Sequence, residues 1–301
     1  MSVTNFRSAD SGASVATSKV TFPSLQDKKK AQQPITALTA YDYSTARLVD
    51  EAGVDLILVG DSLAMVVMGY DSTLPVTMEE MLHHTRAVRR AVKRAMVVAD
   101  MPYGSYHVSL TEGVANATRF LKEAGAEAVK VEGGATRCEL VERLVDAEVP
   151  VVCHLGLTPQ AVHRMGGYKV QGKTIAAAEE LVRDARMLEA AGASAVVLEG
   201  MPREVAQLIT SQLHIPTIGI GAGPDCDGQI LVFHDLVNLS FSRPAKFVRQ
   251  YADAASLFRG AIAGYVHDVE ARSFPDEAES YHLSKETAAV LAPPAGLRRK
   301  A

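Results

Sequence analysis

Four carboxylates stand at the ends of short apolar runs rich in small and β-branched residues: Asp61 in Gly60-Asp61-Ser62 after Leu56–Val59, Asp100 after Met96–Ala99, Glu132 after Ala128–Val131 and Glu199 after Ala195–Leu198. An acidic residue just past a strand is often the N-cap of the following helix, and each one alone is equally well explained that way. Glu132 and Glu199 weaken that reading for the set, because glutamate is a poor cap. Carboxylates gathered together repel and raise one another's pKa unless a cation neutralises them, and hard oxygen donors without His or Cys suit Mg²⁺ or a similar ion. Asp61, Asp100 and Glu132 come from consecutive strands and so can approach one ion. Glu199 lies on the opposite arc, where a carboxylate can remove or return a proton from a molecule bound to that ion.

Lys130 precedes Glu132 by two residues, hence shares its side of a strand. A lysine inside a barrel is costly unless paired, so it is an anion clamp beside the metal, a Schiff-base nucleophile, or a salt-bridge partner of Glu132 or Asp100. His154, after the next apolar run in VVCHLGLTPQ, is either structural or a hydrogen-bond donor to a substrate oxygen. The segment Gly219–Gly223 lacks the spacing of a dinucleotide fingerprint and reads as a tight turn. Met65 and Met68 read as core packing, and His83 and His84 as a solvated helix face.

These residues need a scaffold that brings strand ends together. From Pro34 onward, apolar runs alternate with segments of helical period, as in βα units around a parallel sheet. The strand candidates are 35–39, 56–59, 96–99, 128–131, 149–153, 195–198, 217–220 and 230–233; eight is the number of a (β/α)₈ TIM barrel, whose catalytic groups lie at the C-terminal ends of the strands. A recurring phrase, EAGVDLILVGD, EAGAEAVKVEG and EAAGASAVVLEG, supports this register, with Gly53, Gly125 and Gly192 placed to close helices in the left-handed conformation. Thr77 is a predicted N-cap. One barrel domain over residues 20–272 is expected, after a flexible leader of residues 1–19 and before an irregular tail of residues 273–301.

The 301 residues are 48% hydrophobic and 22% charged, an ordinary globular composition. A net charge of −4 gives no drive toward nucleic acid or anionic membranes, so neither partner is expected. Cys138, Cys153 and Cys226 match no zinc spacing and fit reduced thiols, and no signal peptide or spanning segment is evident; a cytoplasmic enzyme is expected.

The chain resembles the ketopantoate hydroxymethyltransferases (3-methyl-2-oxobutanoate hydroxymethyltransferases) over nearly all of residues 19–277. The resemblance rests on ITALTAYDYSTARLVDEAGVDLILVGDS at 35, GYDSTLPVTMEEM at 69, ADMPYGSY at 99, KEAGAEAVKVEGG at 122, HLGLTPQ at 154 and IPTIGIGAG with DGQILVFHD from 215. It implies a barrel of the phosphoenolpyruvate/pyruvate type, Mg²⁺ dependence, 5,10-methylenetetrahydrofolate as co-substrate, a 2-oxo acid as acceptor, and a homo-oligomer, typically a decamer. It also implies metal contacts from Asp61, Asp100 and Glu132, substrate contacts from Asp61, Ser62, Asp100 and Lys130, and a catalytic proton acceptor at Glu199. His154 matches a polar residue of the same pocket. Tyr70, Gly200 and residues 237–240 depart from the family's usual residues, away from the metal and base positions. The alternatives at this point are a carbon–carbon lyase of the isocitrate-lyase type, a Schiff-base aldolase through Lys130, and a barrel serving only in binding or assembly.

Overall fold

The computed structural model describes residues 18–291. The strands are β1 (Ile35–Thr39), β2 (Leu56–Val59), β3 (Met96–Asp100), β4 (Ala128–Glu132), β5 (Val151–Gly156), β6 (Ala195–Glu199), β7 (Thr217–Ile220) and β8 (Gly228–Leu231). Each pairs in parallel with the next, and β8 pairs back onto β1, so the eight-stranded barrel is closed. The helices are α1 (Phe22–Lys30), α2 (Tyr43–Glu51), α3 (Leu63–Val66), α4 (Met78–Ala91), α5 (Leu110–Ala124), α6 (Cys138–Asp146), α7 (Val162–Met165), α8 (Ile175–Ala190), α9 (Arg203–Gln212), α10 (Phe233–Leu236), α11 (Ala254–Glu270) and α12 (Lys285–Val290). Among the described residues no helix is long and apolar enough to cross a membrane.

Strand ends moved where local chemistry overrides the apolar pattern. β5 begins at Val151, after Pro150, which has no N–H to give to a ladder. β8 starts at Gly228 and stops at Leu231, because Phe233 already opens α10. Helix ends follow the sequence more closely. Thr77 caps α4, its hydroxyl accepting from the Glu80 N–H while the Glu80 carboxylate accepts from the Thr77 N–H. Gly125 closes α5 with a positive φ of 74°.

Alternate residues of a strand face opposite sides, and the barrel sorts them by chemistry. Met96, Val98, Ala128, Val152, Ala195 and Val197 join Ala37, Leu56, Leu58, Ile218 and Ile230 in one apolar cluster. Continuing the same two-residue step toward the C-terminal ends gives Asp100, Lys130, Glu132, His154 and Glu199. Thus the inward face is apolar low in the barrel and ionisable at the top. The outward set, including Val97, Val129, Cys153 and Leu198, packs with Leu82, Phe120, Leu144 and Leu188 of the surrounding helices.

The segment leading into and through α1 covers the lower end. Val20 and Leu25 join the inner apolar cluster. Lys19 pairs with Glu127 at 2.6 Å, Lys28 with Asp55 at 2.6 Å and Lys29 with Asp227 at 2.7 Å. Asp55 also accepts from the Thr36 N–H and from Arg94 Nη2, both at 3.0 Å. Burial alone would raise the pKa of Asp55, but Lys28, Thr36 and Arg94 outweigh it and hold the carboxyl below its ordinary value. Asp55→Asn is expected to lower unfolding free energy by about 3 kcal/mol in denaturant titrations at pH 7, since it leaves two cations without their anion. A depressed folded pKa stabilises fully above the unfolded value and is lost as pH falls through the folded one, so the gap should narrow in acid; a gap constant with pH would contradict this.

The chain divides into two units, up to Tyr251 and from Ala252 on. The barrel expected to run to residue 272 lies in the first, and α11 belongs to the second. The tail expected to be irregular contains α12, and the leader lies outside the described residues up to residue 17.

Candidate active site

The ionisable upper layer is one connected network. Lys130 stands opposite Asp100 in the β3–β4 ladder, and its Nζ donates to Asp100 Oδ1 at 2.6 Å while lying 3.9 Å from Glu132 Oε1. Glu132 stands opposite His154, whose Nδ1 is 3.2 Å from Glu132 Oε1. His154 Nε2 lies 3.2 Å from Glu199 Oε2 but makes no aligned hydrogen bond. Asp61, in the turn after β2, donates its backbone N–H to Asp100 Oδ2 at 3.0 Å. Asp61, Asp100, Lys130, Glu132 and His154 are each 5% exposed or less.

Glu199 is therefore not isolated on a far arc: the imidazole spans from Glu132 on β4 to Glu199 on β6. Gly156 permits this close approach of β5 and β6. Its φ is +95°, and a Cβ there would run into the Glu199 carbonyl oxygen. The Leu157 N–H donates to that same oxygen at 2.8 Å.

Burial raises the Asp61 carboxyl well above the usual range, and the neighbouring Asp100 and Glu132 push it further than Lys130 and Gln160 can offset. Burial opposes the charge on Lys130, yet Asp100, Glu132 and Asp61 together hold its pKa above that of an ordinary lysine. For Glu132, burial is outweighed by His154, Lys130 and the Gln160 N–H, which keep it low. Burial and Lys130 would depress His154, but Glu132 and Glu199 lift it to about 9, so the ring is an imidazolium at neutral pH. Four carboxyl groups thus face two cations, and Asp61 is the one that burial and its acidic neighbours drive toward the neutral form.

Among the described residues no group of three or more His, Cys, Asp or Glu is placed to hold a metal ion. The expected three-carboxylate cage of Asp61, Asp100 and Glu132 is not ready-made. Donors within the protein already engage it: Lys130 and the Asp61 N–H take the Asp100 oxygens, and His154 and the Gln160 N–H take those of Glu132.

Two residues that the sequence pattern does not mark complete the network. Gln160 donates Nε2 to Asp61 Oδ2 at 2.9 Å and to the Met101 carbonyl at 3.0 Å, and its N–H to Glu132 Oε2 at 3.0 Å. Tyr106 donates its hydroxyl to Gln160 Oε1 at 2.6 Å and accepts the Glu132 N–H at 3.1 Å. Both lie in connections, where no period predicts a direction; the only available signal is their membership of the HLGLTPQ and ADMPYGSY segments. Ser62 bonds to the Tyr41 hydroxyl at 2.8 Å, with Oγ at the edge of the network.

Outside the network, Gly221 and Gly223 take positive φ in the expected turn. Met68 is partly buried against the core, but Met65 is exposed, because α3 is a short helix that buries Leu63 and Ala64 instead. His83 is exposed as expected, whereas His84 Nδ1 lies 2.6 Å from the Tyr41 carbonyl oxygen and is partly buried.

The family model described as Ketopantoate hydroxymethyltransferase matches residues 19–277. A 3-methyl-2-oxobutanoate hydroxymethyltransferase of Koribacter versatilis is 67% identical over 274 residues, covering 91% of this chain and 93% of that relative. One of Carboxydothermus hydrogenoformans is 54% identical over 268 residues, covering 89% and 97%. Among solved structures, phosphonopyruvate hydrolase in complex with oxalate and Mg²⁺ is similar with a TM-score of 0.56 at 15% identity, covering 90% of this chain and 94% of that one. The 2,3-dimethylmalate lyase, a PEP mutase/isocitrate lyase superfamily member, has a TM-score of 0.53 at 14% identity, covering 89% and 94%. At such identities the structural likeness speaks for the shared barrel alone.

Proposed function

The chain belongs to the ketopantoate hydroxymethyltransferase family, and on that premise we propose that it transfers a hydroxymethyl group from 5,10-methylenetetrahydrofolate to 3-methyl-2-oxobutanoate, giving 2-dehydropantoate. The observation that carries this reading is the buried network at the barrel mouth, which joins a fixed ammonium, Lys130, to a partly exposed carboxylate, Glu199, through the His154 imidazolium.

The surplus carboxyl group at Asp61 and the oxygen-only donors fit a hard divalent cation such as Mg²⁺. Asp61 and Asp100 would hold it, each carboxylate keeping lone pairs beyond its present bonds. Such an ion polarises the keto group of a 2-oxo acid and makes the neighbouring C–H acidic.

The chain's own groups do the rest. Lys130 faces the charge that develops on the keto oxygen. Ser62, oriented by Tyr41, donates to the substrate carboxylate. His154 offers its unaligned Nε2–H to a substrate oxygen, satisfying a buried donor that is costly to leave unmade. Glu199 takes the C3 proton. The one-carbon unit's two bonds to folate nitrogens both break: one is replaced by the bond to C3 and the other by the hydroxyl of water, while the C3 proton and water's remaining proton end on the two nitrogens of tetrahydrofolate.

Imine chemistry at Lys130 needs a neutral amine, whereas this lysine is an ammonium bound to Asp100. The lyase alternative shares only the barrel. The direct test is incubation of the protein with Mg²⁺, 3-methyl-2-oxobutanoate and 5,10-methylenetetrahydrofolate. Equal amounts of 2-dehydropantoate and tetrahydrofolate are expected by liquid chromatography, and cleavage of 2-oxo or 2-hydroxy acids without transfer would overturn the reading. The same membership leads us to propose a cytoplasmic homo-oligomer, a decamer by family habit.

A further inference from the structure

A cavity of about 410 Å³ adjoins the network and reaches Glu132 and Gln160 at its inner end. Its other walls carry Tyr103, His107, Arg137 and Arg164. The aromatic side is assembled in advance. The Tyr106 and His107 rings lie 4.1 Å apart, the Tyr103 and His107 rings 5.0 Å apart, and the Arg137 guanidinium sits 5.2 Å over the Tyr106 ring. Arg137 is fixed by donating Nε to the Glu132 carbonyl at 3.1 Å. His107 accepts the Gly104 N–H through Nδ1, so its other ring nitrogen carries the proton. Burial, helped by Arg137, pushes the His107 pKa down to about 4, which makes it a neutral aromatic surface at physiological pH.

The inner end is acidic and the rim is basic, with aromatic faces between. That sequence of surfaces suits a flat heteroaromatic ring with an anionic tail: the ring stacks on the aromatic side chains, and the tail carboxylates pair with guanidinium groups outside. The volume lies within the roughly 300–1,000 Å³ usual for small-molecule pockets. We infer that this cavity seats the folate co-substrate, with the pterin against Tyr103 and His107, the one-carbon unit directed toward Glu132 and Gln160, and the glutamate tail at Arg164. The inference rests on the proposed folate-dependent transfer and adds the residues that hold the second substrate.

Steady-state kinetics on the full chain tests it. Arg164 and Tyr103 are both exposed, so their variants should fold. Arg164→Ala is expected to raise KM for 5,10-methylenetetrahydrofolate roughly tenfold, the effect of losing one charge-assisted hydrogen bond, with Arg164→Lys recovering much of it. Tyr103→Ala is expected to raise it roughly fivefold through lost stacking. KM for 3-methyl-2-oxobutanoate should move less than about twofold in each, because the first substrate is held by other residues. A wild-type enzyme that transfers, with variants whose folate KM is unchanged or whose two KM values rise together, would overturn the folate seat while leaving the function intact. A wild-type protein showing neither transfer nor C3 hydrogen exchange would overturn the functional reading itself.

Discussion

Glu199→Gln is expected to slow exchange of the C3 hydrogen of 3-methyl-2-oxobutanoate in deuterated buffer by roughly a thousandfold, the middle of the range for removing a general base. The amide has nearly the shape of the carboxylate, so the partly exposed site should keep its packing, and Glu132 still holds the other side of the imidazole. Binding of the 2-oxo acid should therefore survive while proton removal does not. Proton NMR in the absence of folate reads the step alone, free of any effect on one-carbon transfer. Exchange at the wild-type rate would take Glu199 out of the role.

Removal of divalent cations is expected to have a comparable effect. Dialysis against EDTA should lower transfer by about a thousandfold, and added Mg²⁺ should restore it, because Lys130 and His154 are two cations against four carboxyl groups where the keto group must be polarised. Asp61→Asn should abolish rescue. Its Mg²⁺ binding by calorimetry should also fall below detection, while the circular dichroism spectrum stays that of the wild type. Full activity in EDTA, together with a borohydride-trapped adduct on Lys130, would show that the lysine works through an imine and that the carboxylates serve only to pair it.

The sequence carried the scaffold because its signals are periodic. The two-residue step from Ala128 to Lys130 to Glu132 predicts a shared inward face, and all three point into the barrel as one series with Met96, Val98 and Asp100 on the next strand. Contacts between strands were less accessible. Nothing in the order Asp61, Asp100, Glu132 shows that Lys130 and His154 occupy the carboxylates, so a three-ligand cage is the natural expectation and a charge-relayed network is what forms. Gln160 and Tyr106 were hidden for a related reason: each reaches the network from a connection whose path is set by tertiary packing and not by strand or helix period.

The lysine clasps at Glu127, Asp55 and Asp227 sit where the strands begin, whereas the network sits where they finish. The contacts that tie α1 to the barrel and the residues proposed for turnover thereby lie at opposite ends of the strands. Engineering at residues 19–30 can raise or lower the melting temperature without reshaping the chemistry, and redesign of acceptor specificity at the other pole can draw on stability supplied from far away.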